Sequence, residues 1–188
     1  MKKHIAQTIA MHRKMVDNLE AEGLDIILDT ANLIVTSIKN GGTLYICGNG
    51  GSAADAQHIA GEFIGRFLVN RKALPAVALS TDTSVLTCIG NDYSFEDIFA
   101  RQVEGLVKKQ DCLWAFSTSG SSPNVVKAAK ITQEIGAKII AFTGKKNSPL
   151  EKLADVCLCA QAEKTFAVQE IHQIAYHIIC DLVEKQFS

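Results

Sequence analysis

A chain of 188 residues with a formal net charge of −1, from 19 basic and 20 acidic side chains mixed along its length, is long enough for one domain with a sizeable core. It has no charge block that would draw it to nucleic acid or to a membrane surface. Its longest uninterrupted apolar run, Ala73–Leu79, is far too short to span a bilayer, and His12, Arg13 and Lys14 interrupt any secretory pattern, so a cytoplasmic protein is expected.

Ile5, Ile9, Val16 and Leu19 recur at helical spacing up to Gly23, and Ile27, Ala31, Ile34, Val35 and Ile38 form a second stripe closed by Gly41-Gly42. Residues 1–42 are therefore expected as two helices ahead of an α/β core over 43–188, and their stripes suit a partner subunit as well as their own domain. Thr43–Ile46 read as a buried strand, the glycines from Gly48 to Gly51 turn the chain, and Ser52 is a natural N-cap for an alanine-rich helix. Ala76–Leu79 form the next strand, Ser80 to Ser84 cap a helix beginning near Val85, Asn91-Asp92 break it, and Phe95–Val107 make another. The third strand, Cys112–Phe116, ends in a serine-rich loop, with Pro123 as the first residue of a helix to Ile135.

Lys138–Phe142 are the fourth strand, Ser148-Pro149 cap a short helix, and Val156–Cys159 are the fifth strand. A long helix from about Thr165 to Glu184 follows. Strands alternating with helices at these lengths predict an α/β fold with a parallel sheet covered on both faces. The six cysteines (Cys47, Cys88, Cys112, Cys157, Cys159, Cys180) lie mostly in apolar segments without a C-x-x-C pair, and read as buried small hydrophobes.

Ligands of such sheets bind beyond the carboxyl ends of the strands. Three polar strand ends, at Gly48 to Ser52, Ser80 to Ser84 and Ser117 to Ser122, are expected to line one pocket. A glycine turn opening a helix favours an anion, and the hydroxyls of Ser117, Thr118, Ser119 and Ser122 with nearby N–H groups make a neutral cradle for a phosphate that is held rather than cleaved. An ordinary serine-capped loop is the alternative. A dinucleotide site is disfavoured, because the acidic residue expected about 20 positions on is missing, Asp82 lying 34 positions past Gly48.

His58 and Glu62 stand four positions apart on one helix face. A surface ion pair is the commoner fate of that spacing, but the helix is otherwise apolar or small on most sides. That predicts a buried helix, in which a carboxylate needs a partner or a purpose. With Gln169 and His177, eight positions apart and on neighbouring faces, the pair could hold a zinc-like ion, although spacing across two distant segments is not diagnostic. His172 reads as structural or solvent-facing.

Several of these runs, in this order, carry a resemblance: Gly48-Asn49-Gly50-Gly51-Ser52-Ala53-Ala54-Asp55-Ala56-Gln57-His58 with Glu62 and Gly65-Arg66-Phe67, Ser80 to Thr87, Asn91-Asp92-Tyr93, Ser117-Thr118-Ser119-Gly120, and Gln169-Glu170 with His177. Over nearly the whole chain they resemble the phosphoheptose isomerases of the sugar isomerase (SIS) domain superfamily. The resemblance implies a three-layer α/β/α sandwich with a five-stranded parallel sheet of the flavodoxin-like kind. It implies isomerisation of sedoheptulose 7-phosphate to D-glycero-D-manno-heptose 7-phosphate, the first step toward the heptose of the lipopolysaccharide core, in a homotetramer whose sites are shared between subunits. Carried over, phosphate contacts fall to Ser117, Thr118, Ser119 and Ser122. Sugar contacts fall to Asn49, Gly50, Gly51, Asn91, Asp92 and Gln169, with Glu62 also at the substrate. One zinc ion per subunit would be held by His58, Glu62, Gln169 and His177.

Moving a carbonyl by one carbon needs a base, an acid and a stabiliser of the enediolate. Glu62 is the expected base, burial being what lifts a carboxylate's basicity toward the working pH, and His177 the second acid/base. Ligation to a metal would make Glu62 a poorer base. One departure stands out: many members carry Arg-Ile before Gln-Glu, where this chain has Ala167-Val168, so no anion contact from that arginine is expected. A non-catalytic relative that binds a phosphosugar, or a protein partner such as the replication initiator, is the rival; it need not retain Glu62 and His177 together, and this chain has both.

Overall fold

The central strands are apolar runs without alternation, which is the signature of strands covered on both faces. In the computed structural model, which describes residues 1–188, β1 (Leu44–Cys47) and β3 (Cys112–Ser117) are buried at every position. The edge strands β2 (Ala76–Ala78) and β5 (Val156–Cys159) are only partly covered, and β4 (Lys138–Thr143) lies between β3 and β5. All pairings are parallel and the order is β2-β1-β3-β4-β5. The five-stranded three-layer fold expected from the resemblance is thus observed.

Successive side chains of each strand enter opposite layers. Leu44 and Ile46 of β1, with Trp114, Phe116 and Phe142, join Ile34 of α2 (Leu24–Lys39), Ile59 and Phe63 of α3 (Gly51–Ile64), and Tyr176 and Ile179 of α7 (Thr165–Glu184). Tyr45, Cys47 and Leu113 point the other way, onto α4 (Thr83–Asp92), α5 (Ala100–Leu106) and α6 (Pro123–Ile135). Helix α1 (Lys2–Glu22) precedes this sandwich and leaves Ile5, Ile9 and Val16 exposed.

Three local expectations are corrected. The helix foreseen over Phe95–Val107 is divided into a 3-10 turn, Phe95–Asp97, and α5, because Ser94 Oγ donates to Asp97 Oδ2 (2.6 Å) and Lys127 of α6 holds the same carboxylate. The short helix after Ser148-Pro149 is a single 3-10 turn, Glu151–Leu153, closed by reciprocal 3.3 Å bonds between Ser148 and Glu151. Among the cysteines, Cys47, Cys112 and Cys180 are buried, Cys157 and Cys159 half-buried, and Cys88 exposed, all as free thiols.

Strand order reverses between β1 and β3, so the chain leaves their ends in opposite directions and opens a crevice there. The two loops singled out in the sequence, after Cys47 and after Ser117, flank that crevice.

Candidate active site

The turn between β1 and α3 depends on two glycines for different reasons. Gly50 adopts φ +56° and ψ −120°, a conformation that a side chain strongly disfavours. Gly51 lets α7 approach, since a Cβ there would lie 2.5 Å from Nε2 of Gln169. The left-handed turn makes Gly50 itself the N-cap of α3; Ser52, expected in that role, lies one turn-position inside the helix and makes no capping bond.

Asn49, Gly50, Gly51 and Ser52 face Phe116, Ser117, Thr118 and Ser122 across a cleft of about 250 Å³, closed on a third side by Thr165 and Gln169. None of these residues is charged. Ser117 Oγ lies 2.9 Å from Ser122 Oγ and 3.4 Å from Ser119 Oγ, which keeps the hydroxyls of the loop grouped ahead of α6. Asn49 is locked by a partner that the sequence reading missed. It exchanges two 2.9 Å amide bonds with Asn124, which is buried in the first turn of α6. Only a polar residue directly after Pro123 hinted at this.

Two of the three expected strand ends therefore form the cleft. The third touches it only indirectly, Ser80 Oγ donating to the carbonyl of Ala53 (3.3 Å). Asn91 and Asp92 are exposed at the far end of α4, where Asn91 Nδ2 donates to Asp92 Oδ1 (2.8 Å), and they do not line this cleft.

A second constellation lies further along α3. His58 Nε2 is 3.0 Å from Glu62 Oε1 and 3.5 Å from His177 Nε2, and one donor atom from each of the three residues lies within 4.8 Å of the others. Phe67 stacks on the His177 ring at 5.8 Å. Two imidazoles and a carboxylate match a catalytic zinc donor set, so the residues present fit such an ion. The Gln169 amide abuts Gly51, seven positions before His58 on the same helix.

The expected burial of α3 is not met. Ser52, Ala56, Ile59 and Phe63 face the core, whereas Ala54, Gln57, His58 and Gly61 are exposed. Small residues fit an open face as readily as a closed one. Glu62 itself is half-buried, with 21 % of its side chain exposed.

Below this cluster Tyr176 presents its hydroxyl 3.0 Å from His58 Nδ1 and 3.5 Å from Asp55 Oδ1. Burial pushes Asp55 up to about 6, against the Tyr176 hydrogen bond and the His58 charge. Burial also raises the Tyr176 phenol, helped by Asp55. His177 is pushed down by burial and then by His58, with Glu62 opposing, which favours a neutral ring. His172 is fully buried against Phe116 and Phe142, with Nε2 3.0 Å from the Thr143 carbonyl, and burial drives it down to about 4. Of its two expected fates, the structural one holds.

The loop after α3 is pinned from α7. The buried Glu184 carboxylate accepts the backbone N–H groups of Phe67 (2.8 Å), Leu68 (2.6 Å) and Val69 (3.0 Å). Arg71 Nε stands 3.0 Å from Glu184 Oε1 as an ionic contact, and its other nitrogens donate to the carbonyls of Glu62 (2.7 Å), Phe63 (2.9 Å) and Lys72 (3.0 Å). Burial opposes the charge on Glu184, but the three amides and Arg71 outweigh it and hold the carboxyl below its usual range. The last turn of α3, which carries Glu62, is thereby fixed to α7.

The SIS domain family profile matches residues 9–144. A phosphoheptose isomerase of a Nitratiruptor species is 45% identical over 188 residues, covering 100% of both chains. One from Helicobacter pylori is 42% identical over 94% of this chain and 90% of its own. Among solved structures, a phosphoheptose isomerase from Neisseria gonorrhoeae is similar at 37% identity and TM-score 0.92, covering 98% of each chain. Another, from Francisella tularensis, is similar at 30% identity and TM-score 0.93 over 97% of each.

Proposed function

The chain belongs to the phosphoheptose isomerases of the SIS domain family, and from that premise we propose how it interconverts sedoheptulose 7-phosphate and D-glycero-D-manno-heptose 7-phosphate. The observation that carries the reading is the division of one helix between two tasks. The head of α3 borders an uncharged anion cleft, and its later turns carry a carboxylate and imidazole cluster about 10 Å further along. That spacing suits a phosphate-bearing chain of several carbons, anchored at one end and worked on at the other.

The phosphate is held by the hydroxyls of Ser117, Thr118, Ser119 and Ser122 and by backbone N–H groups at the start of α6. Asn49, kept in place by Asn124, and Gln169 hold sugar hydroxyls, with the backbone of Gly50 and Gly51 alongside. Glu62 takes a proton from C1 of the ketose, leaving an enediol; return of a proton to C2 and loss of the O1 proton give the aldose. His177, neutral and able to donate from one nitrogen while accepting at the other, moves the proton between the two oxygens. His58, Glu62 and His177, with Gln169 as the fourth ligand, are the residues that would hold a zinc ion. When bound, the ion would polarise the carbonyl and hydroxyl oxygens of the sugar.

Assembly as a homotetramer completes the proposal. Ile5, Ile9, Leu24 and Leu28 leave an apolar surface on α1 and α2. Asn91 and Asp92, outside their own cleft, are free to serve a site shared between subunits. The proposed compartment is the cytoplasm and the proposed destination lipopolysaccharide heptose; no helix is long and apolar enough to cross a membrane. A binding-only relative has no need of the Glu62 and His177 pairing.

The test is NMR of sedoheptulose 7-phosphate with the protein in heavy water, with and without a chelator. Formation of the aldose phosphate is expected, and Glu62→Gln is expected to stop it while phosphosugar binding persists. Ketose that binds but returns unchanged and unlabelled would overturn the isomerase reading, and wild-type turnover in Glu62→Gln would remove Glu62 as the base.

A further inference from the structure

We propose that Tyr176, backed by Asp55, is a positioning residue that sets the His58 ring for a cation; this rests on the metal reading of the cluster above. His58 needs such support. Its side chain is 42% exposed on the outer half of α3, whereas Tyr176 is fully buried, its ring edge-on to His58 with centroids 5.6 Å apart. The fixed member of the pair is the tyrosine.

The hydrogen-bond inventory then leaves two arrangements. His58 Nε2 faces Glu62 Oε1 and His177 Nε2, and His58 Nδ1 faces the Tyr176 hydroxyl alone at 3.0 Å. A neutral imidazole carries one ring hydrogen, and a phenol both donates and accepts. With the hydrogen on Nε2, the ring donates to Glu62 and Nδ1 accepts from Tyr176. With Nε2 offering its lone pair to a cation, the hydrogen lies on Nδ1 and is donated to the phenol oxygen. The phenol hydrogen must then turn elsewhere.

Asp55 is the acceptor that makes the second arrangement complete. Its Oδ1 is 3.5 Å from the phenol oxygen, and its Oδ2 is buried without any partner. A ligating histidine ordinarily donates its other N–H to such a partner, and loss of the partner weakens metal binding about 10–100-fold. Tyr176→Phe would keep the ring packing and remove only the hydroxyl. None of this is visible as spacing, since Tyr176 and His58 are 118 positions apart.

The experiment is zinc affinity of the full chain, measured by competition with a chromophoric chelator, for wild type, Tyr176→Phe and Asp55→Ala. Circular dichroism of the metal-free proteins establishes that each variant is folded. Zinc binding by wild type and an affinity about 10–100-fold lower in Tyr176→Phe, with a loss in the same direction for Asp55→Ala, is the expected result. Histidine ring NMR should place the His58 hydrogen on Nδ1 in the zinc-loaded wild type. Equal affinity in wild type and folded Tyr176→Phe overturns the proposal while leaving the metal reading intact. If that variant does not fold, unchanged affinity in Asp55→Ala has the same force. A wild-type chain that takes up no zinc overturns both.

Discussion

Replacing Glu184 by alanine should be among the most destabilising single changes available near the site. The carboxylate is 2 % exposed, as is the Arg71 side chain it faces, and it accepts three backbone amides besides. Removing one partner of a buried ion pair leaves the other charge uncompensated, at a cost of about 3–5 kcal/mol. For a chain of this length each kcal/mol lowers the melting temperature by about 2–4 °C, so a fall of roughly 6–20 °C is expected at fixed protein concentration. The damage should reach catalysis too, because Arg71 holds the carbonyls of Glu62 and Phe63 and the same loop stacks Phe67 on His177. Arg71→Met combined with Glu184→Met removes the unpaired charge but also strands the three amides and three carbonyls that the pair serves, so it should recover only a minor part of the loss. The sign with pH follows from the lowered carboxyl: its stabilisation is complete above the ordinary Glu value of 4.5 and is lost as the pH falls below it. Glu184→Gln should therefore flatten the acid side of the stability profile. A Glu184→Ala protein melting within about 2 °C of wild type would refute the reasoning.

Other outcomes follow from single positions. Gly50→Ala should cost about 1–3 kcal/mol of stability, because its φ of +56° is strained for any side chain, as a thermal melt would detect. Gly51→Ala meets only the flexible end of Gln169, so it should melt nearly normally but raise KM by displacing that amide from the cleft. Asn124→Ala should free Asn49 and raise KM about 10-fold or more, with a matching loss of phosphosugar affinity in calorimetry. His172 stays neutral in the fold down to about 4, whereas the unfolded chain takes up the proton near 6.5. Stability is therefore lost as the pH falls through that interval, by about 3 kcal/mol at pH 4, and His172→Phe should remove that slope in denaturant titrations across the same range.

Much of the fold could be read from local signals. Uninterrupted apolar runs marked β1 and β3, Pro123 marked the start of α6, and the bounds of β5 and α7 coincide with those expected. The cleft was legible because glycines and serines at strand ends have few other uses at a sheet's switch point. The errors share a physical cause. Alanine and glycine on α3 carry no information about which face is covered, so the exposure of His58 and Glu62 could not be read from them. Ser52 has the chemistry of a cap, but the unusual backbone of Gly50 moved the helix start ahead of it. Asn124, Tyr176, Asp55 and Arg71 act through partners distant in sequence, and no local periodicity encodes such pairs.

Helix α7 gives this chain a particular order of maturation on the ribosome. Gln169, Tyr176, His177 and Glu184 all meet partners between Gly51 and Arg71, across separations such as the 118 positions from His58 to Tyr176 and the 116 from Leu68 to Glu184. The emerging polypeptide can lay Ala56, Ile59 and Phe63 against β1 and β2 early, but it leaves His58 without Tyr176 and the loop after α3 without Glu184 while the rest of the sheet is still being synthesised. Neither ligand nor cation can assist folding during that interval, because the receptor for both is incomplete until translation reaches α7. Docking of α7 completes the cluster and the pinned loop together, across sequence separations that make such a closure slow.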